Sequence, residues 1–311
     1  MKTLRNILTL FVLTALLTAG SSYAQVVKDL QYYRTPGLEG INVFEAPKVA
    51  GVPFDGLYVH VGGDFAIQFQ GLSHSNDADD LVELASNFTL PTANLNMDVQ
   101  IADGMRMHIR TYLSSRHHTE AYVKGGYFQV DNLDFISEDF MAPLMENLRF
   151  RFGMDEINYG DTHFRRSDNA MVIYNPFVGN YIMDSFTTEP FAEVTYMGSG
   201  FLGVVGMSNG RLNQSPLKGD DGVAVFAKLG YDNQMNDDLR VRLTGSVYHS
   251  TDKGTRDYIY GGDRAGGRYY NVIEQIDEER PSDFLPRFNP GFSYQTAFQV
   301  NPFIKFQGFE F

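Results

Sequence analysis

From Leu57 onward, apolar and polar residues alternate with a period of two, the spacing of β-strands whose faces meet different surroundings. Leu57, Val59, Val61, Phe65, Ile67 and Phe69 share one face, with Tyr58, His60, Asp64, Gln68 and Gln70 on the other. The same alternation recurs over residues 94–101, 105–114, 120–127, 148–155, 192–196, 201–207, 223–232, 239–247 and 292–300. A last aromatic segment covers 303–311. The pattern predicts about eleven strands and no amphipathic helix longer than three turns, hence an all-β, antiparallel chain.

The connections carry a second regularity. Ala102-Asp103-Gly104, Gly198-Ser199-Gly200, 233–238 and Asn301-Pro302 read as tight turns. They alternate with the loops 72–93, 115–119, 157–188, 209–221 and 251–290; segment 131–147 breaks the rule, and a short helix is expected within 137–147. Short turns at one end and long loops at the other are the pattern of an up-and-down transmembrane β-barrel with long extracellular loops. A single-chain barrel normally closes with an even number of strands. Ten strands bring the chain back to Asn301-Pro302, so an eleventh running to Phe311 predicts an incomplete barrel. The alternative is a further strand within 25–54 or 251–290, with Phe311 as an aromatic C-terminal end.

The N-terminus reads as an export signal over residues 1–24. Lys2 and Arg5 precede an apolar run over 7–17, and Ser21-Ser22-Tyr23-Ala24 places cleavage after Ala24. Residues 25–54 are broken by Pro36, Gly37, Gly40, Pro47, Gly51 and Pro53 and are expected to form an irregular periplasmic leader, with the barrel domain over 55–311. No later stretch is long and apolar enough for a membrane-spanning helix.

Composition narrows the chemistry. The 311 residues carry 25 Lys and Arg against 38 Asp and Glu, a formal charge of −13 that disfavours nucleic acid as a partner. Cysteine is absent, which excludes disulfides, thiolate metal sites and cysteine nucleophiles. Tryptophan is absent too, but 18 Tyr and 25 Phe are present. Tyr58, Phe69, Tyr127, Phe128, Tyr196, Tyr231 and Tyr248 lie near strand ends, where a membrane barrel has aromatic girdles. An exported soluble β-rich binding protein would show the same alternation with its apolar face inside.

The export signal, the long alternating strands and the stretch Leu148-Arg-Phe-Arg-Phe-Gly-Met-Asp-Glu-Ile-Asn-Tyr-Gly160 resemble porin-like proteins of the Gram-negative outer membrane, most nearly the phosphate-selective porin family. The resemblance implies an outer-membrane, oligomeric channel, with lipid around it and small hydrophilic solutes passing through. It does not make phosphate the solute.

On the face expected to line the lumen stand Arg106, Arg110, Lys124, Arg149, Arg151, Lys228, Arg240 and Arg242. Asp64, Asp98, Glu120, Asp155, Glu193 and Asp232 share that face. A surplus of inward guanidinium groups favours anion passage, whereas opposing charges that pair would simply brace the wall. Loop 157–188 holds Asp161, Arg165, Arg166 and Asp168 beside aromatic residues, candidates for a constriction folded into the pore. His117-His118 and the scattered histidines lack metal-ligand spacing, residues 76–80 lack the glycine and terminal glutamate of a calcium loop, and residues 261–267 are not a phosphate loop. No catalytic triad, cofactor motif or metal site is expected.

Overall fold

The alternating segments become strands because only a strand puts every second side chain on one surface. The computed structural model describes residues 29–35, 37–114, 122–161, 188–210, 222–251, 270–276 and 294–311. The expected signal segment with Ala24, together with His117, His118, Arg165, Arg166, Asp168 and the 261–267 stretch, lies outside the described residues. The strands are β1 (Tyr58–Gln70), β2 (Asn87–Ala102), β3 (Met105–Ser114), β4 (Tyr122–Val130), β5 (Leu148–Glu156) and β6 (Thr188–Gly198). They continue with β7 (Phe201–Ser208), β8 (Ala224–Gln234), β9 (Leu239–Ser250), β10 (Gln295–Phe306) and β11 (Phe309–Glu310). One helical turn, Ala142–Met145, sits in the connection between β4 and β5.

All eleven belong to one antiparallel sheet in which each strand pairs with its neighbours in sequence. The tight connections β2–β3, β6–β7, β8–β9 and β10–β11 fall at one end of the sheet. The connections β1–β2, β3–β4, β5–β6, β7–β8 and β9–β10 fall at the other. The sheet is not closed into a barrel: among the described residues, β1 pairs only with β2, and β11 only with β10.

The sheet is curled. Laid flat, nine strand spacings would part β2 from β11 by roughly 43 Å. Yet the irregular segment before β1, folded by a 3-10 turn at Leu38–Gly40, touches both. Gln31 bonds Gln100 on β2, and Asn42 bonds Glu310 on β11. The sheet wraps around residues 29–35 and 37–54, which lie against its concave face.

Three expectations about the strands need correction. β10 does not end at Asn301-Pro302: it runs through Pro302, which faces Leu243, to Phe306. Proline is tolerated there because no described strand pairs with β10 opposite Pro302 on its other edge. The turn falls instead at Gln307-Gly308, both at positive φ (48° and 95°), so the aromatic tail is mostly the end of β10. In β4 a register shift between Arg110 and Thr111 marks a bulge that moves the following residues by one face. Tyr127, expected outside, therefore points inward beside Arg106 and Arg151. Tyr248 is likewise fully buried, hydrogen-bonded to Glu189, and not part of an outer girdle.

Candidate functional site

The two faces of the sheet differ sharply. On the convex face Val205 is 67%, Leu229 74% and Phe298 76% exposed; on the concave face Lys228 is 1%, Arg242 2% and Arg149 3% exposed. Leu229 and Lys228 are adjacent residues. The apolar side chain faces out and the charged one faces in, the reverse of a water-soluble sandwich. The outer face also carries paired rings: Phe128 stacks on Phe152 with centroids 5.4 Å apart, and Phe201 meets Tyr231 edge-on at 5.2 Å.

The concave face is built from charges that find each other. Arg106 meets Asp98 at 3.1 Å and Gln129 at 2.8 Å, and Asp98 also holds His108 at 2.9 Å. Arg151 pairs with Glu193 at 2.9 Å, and Arg110 stands 3.7 Å from both Asp155 and Glu156. Arg240 is held bidentately by Asp232, at 2.8 and 2.7 Å. Lys124 is buried at the β4 bulge. All eight predicted lumen cations thus lie on or within the concave side, and the arginines among them are braced by carboxylates.

The leader is fastened to this face at two places. Around Asp131, just beyond β4, Arg149 binds the carboxylate at 2.8 Å and reaches the carbonyl oxygens of Ala46 at 2.7 Å and Pro47 at 2.9 Å. Lys48 reaches the same carboxylate at 3.1 Å. Burial lowers the Lys48 pKa from its ordinary value, and Asp131 opposes that shift without cancelling it. Nearby, Gln31 is a polar staple. Its amide N–H donates to Gln100 Oε1, its Nε2 donates to Asp103 Oδ1 at 2.7 Å, and its Oε1 accepts from the Gly104 N–H at 2.9 Å. Tyr33 donates to Asp98 at 3.2 Å; burial and that carboxylate raise its phenol pKa.

The second fastening surrounds Arg242. Its guanidinium binds Asp161 at 2.8 Å, Glu45 of the leader at 2.9 Å and Asp232 at 3.0 Å. Lys228 bridges Glu45 at 3.1 Å, Asp161 at 3.2 Å and the Gly160 carbonyl at 2.5 Å. Asp161 arrives because the chain turns inward after β5: Ile157 and Tyr159 enter an apolar cluster with Phe226 and Tyr248. Gly160 takes φ +68° with the Gln299 side chain pressed against it, and its N–H donates to Ser246 Oγ at 3.1 Å. A side chain at 160 would be strained in conformation and obstructed in space. Burial alone would raise the Asp161 pKa. The hydrogen bond from Arg242 and the charges of Lys228 and Arg242 outweigh it and hold the carboxyl below its ordinary range.

Sequence reasoning found the cations but not their leader partners. Glu45, Lys48, Gln31 and Tyr33 sit in a segment without periodicity, and Asp131 sits in a turn. The one signal was the number of polar residues in a stretch otherwise expected to form an irregular leader. Of the constriction candidates, Asp161 is brought onto the concave face, together with Lys228 and Arg242. The stretch Leu148–Gly160 forms β5 followed by this inward turn. Among the described residues no group of three or more His, Asp or Glu is arranged to hold a metal ion. The acidic stretch 76–80 is tied instead to a distant loop, Asp80 accepting from Asn76 and from Gln275 at 2.9 Å.

Between the leader and β1–β6 a cavity of about 360 Å³ remains, lined by arginines, carboxylates and the rings of Tyr33, Phe44 and Tyr127. No family model and no curated protein matches the chain.

Proposed function

We propose that this chain forms the wall of an outer-membrane β-barrel channel for small hydrophilic solutes, with its own leader seated in the lumen. The observation that carries the reading is the inverted polarity of neighbours such as Lys228 and Leu229, repeated along the strands. A closed barrel in lipid turns its apolar residues outward and keeps a hydrated, charged interior. A soluble exported binding protein would instead leave an apolar surface far beyond the few hundred Å² that monomers tolerate. Each backbone group left unpaired in hydrocarbon costs several kcal/mol. The reading therefore requires the edges of β1 and β10 that no described strand covers to be paired when the protein is in a bilayer.

The arginine surplus does not make this a strong anion filter. Asp98, Asp131, Glu193, Asp232 and Asp161 neutralise the guanidiniums that would attract anions. Weak selectivity is expected, and reversal potentials in a salt gradient measure it. Detergent extraction and heat-modifiable mobility on gels test the membrane reading itself. A chain that stays monomeric in plain buffer and migrates identically with and without boiling overturns it. Leu229→Lys sharpens the test. On a lipid-facing wall near the midplane it costs about 2–4 kcal/mol, whereas on a water-exposed surface it is worth no more than about 0.5 kcal/mol.

A further inference from the structure

At the tight-turn end of the sheet, Asp103-Gly104, Ser199-Gly200 and Gln307-Gly308 are two-residue, polar connections. The connection between β4 and β5 at the same end is of another kind. Within residues 135–144 it presents Phe135, Ile136, Phe140, Met141 and Leu144, all of them exposed. Its backbone is nonetheless tied. The Ile136 N–H donates to the Leu133 carbonyl at 2.9 Å, Phe140 N–H to Ser137 at 3.0 Å and Ala142 N–H to Asp139 at 3.1 Å. Met145, in the helical turn, is buried, and the Asn147 carbonyl accepts from the Met197 N–H at 2.8 Å. An apolar surface held out by an ordered backbone marks a site of contact with something other than water.

We infer that this connection is an interfacial anchor, its apolar side chains dipped into the bilayer leaflet at the tight-turn end among zwitterionic phospholipid headgroups; the inference rests on the channel reading above and names a partner for its wall. The surface continues the convex apolar face. Leu148, Phe150 and Phe152 share the outer face of β5, opposite Arg149 and Arg151, and Phe128 of β4 stacks on Phe152. The connection springs from the ends of these same two strands, so its exposed residues begin where the lipid-facing wall stops. Charge selects the headgroup. Residues 131–147 hold Asp131, Asp134, Glu138, Asp139 and Glu146 and no Lys, Arg or His. Arg149 and Lys48 neutralise Asp131, but Glu138, Asp139 and Glu146 are exposed. Membrane-surface helices that bind anionic lipid carry Lys and Arg on their polar face. Here an anionic headgroup would be repelled, whereas a zwitterionic one offers its ammonium group to the acids. The anchor's task is mechanical: it sets the depth at which the wall sits in the bilayer.

The chain has no tryptophan, so a single introduced indole reports its own surroundings. Phe140→Trp probes the connection, and Leu229→Trp probes the outward wall in the middle of β8. Each full-length variant is refolded into phosphatidylcholine vesicles whose acyl chains are brominated either near the headgroup or near the chain end. Bromine near the headgroup should quench position 140 most, and bromine near the chain end should quench position 229 most. Both emissions should lie to the blue of indole in water. Adding Ile136→Asp to the Phe140→Trp chain should shift its emission to the red while the heat-modifiable band is kept. Phosphatidylglycerol in place of phosphatidylcholine should lessen quenching at position 140 and leave position 229 unchanged. Quenching at 229 with none at 140 overturns the inference and leaves the wall in lipid. A blue, unquenched emission at 140 overturns it too, because the surface is then covered by protein, a second copy or another chain. Stronger quenching at 140 in phosphatidylglycerol overturns the choice of headgroup. Absence of quenching at both positions takes the wall out of lipid, and the channel reading and the anchor fall together.

Discussion

Around Asp131 the leader brings a cation, Lys48, to a carboxylate of the wall; around Arg242 it brings an anion, Glu45, to cations of the wall. The two fastenings have opposite polarity and different redundancy. At Asp131 one carboxylate serves both Arg149 and Lys48, and the Ala46 and Pro47 carbonyls share the load. At Arg242 two cations face Glu45, Asp161 and Asp232, so any single acid has a substitute. A buried ion pair is worth what its neighbours leave to it: Asp131 is indispensable to its group, and Lys48 is not.

Substitutions break this contrast in a set order. Asp131→Asn strands two buried cations at once and should cost about 3–5 kcal/mol in urea unfolding of the vesicle-inserted protein. Glu45→Gln removes one acid of three and should cost about 1–3 kcal/mol. Because the chain has no native cysteine, Ala46→Cys gives a single maleimide label that reports leader release directly, and Glu45→Gln should speed its labelling.

Acid sharpens the comparison next. The Asp161 carboxyl is depressed in the folded chain. Its stabilisation is therefore full above the ordinary carboxylate value, about 3.9, and is lost as pH falls through the lower folded value. Collisional quenching of a fluorophore attached beforehand at position 46 should stay low down to about pH 4 and rise below it; a rise already at about pH 6 would contradict the role given to Asp161.

Lys48→Met is expected to have the smallest effect, within about 1 kcal/mol, since Arg149 keeps Asp131 paired and an apolar side chain avoids the desolvation that Lys48 suffers. The lowered folded pKa of Lys48 makes the native chain gain stability as pH rises toward the ordinary lysine value, about 10.4. Urea midpoints across that window should rise in the native chain and rise less in Lys48→Met.

The strands were legible because their two faces meet opposite surroundings, so Leu229 and Lys228 announce the sheet without any tertiary knowledge. Loop parity was legible for the same local reason. The bulge in β4 was not: one extra residue before Gly125-Gly126 leaves composition unchanged but moves Tyr127 to the other face. Pro302 misled because proline marks a turn in most strands and is silent at an unpaired edge. Residues 29–35 and 37–54 gave no period to read, since their place is fixed by partners on β2, β5, β8 and β9. The candidate site was half visible, with its wall charges in the alternation and their complements in the irregular stretch.

The neighbour-by-neighbour order of the sheet has a kinetic consequence. Each hairpin can close as soon as its second strand exists, so the wall is assembled from short-range contacts. Glu45, by contrast, meets Lys228 and Arg242 across 183 and 197 residues. Loop closure grows by only about 0.6 kcal/mol for each doubling of length, so this separation weakens the final bond little. It fixes the timing instead: the leader precedes every described strand, but its Arg242 partner exists only after β9 has folded. A polypeptide arrested before β9 would hold Glu45 through Lys228 of β8 alone, without the guanidinium of Arg242.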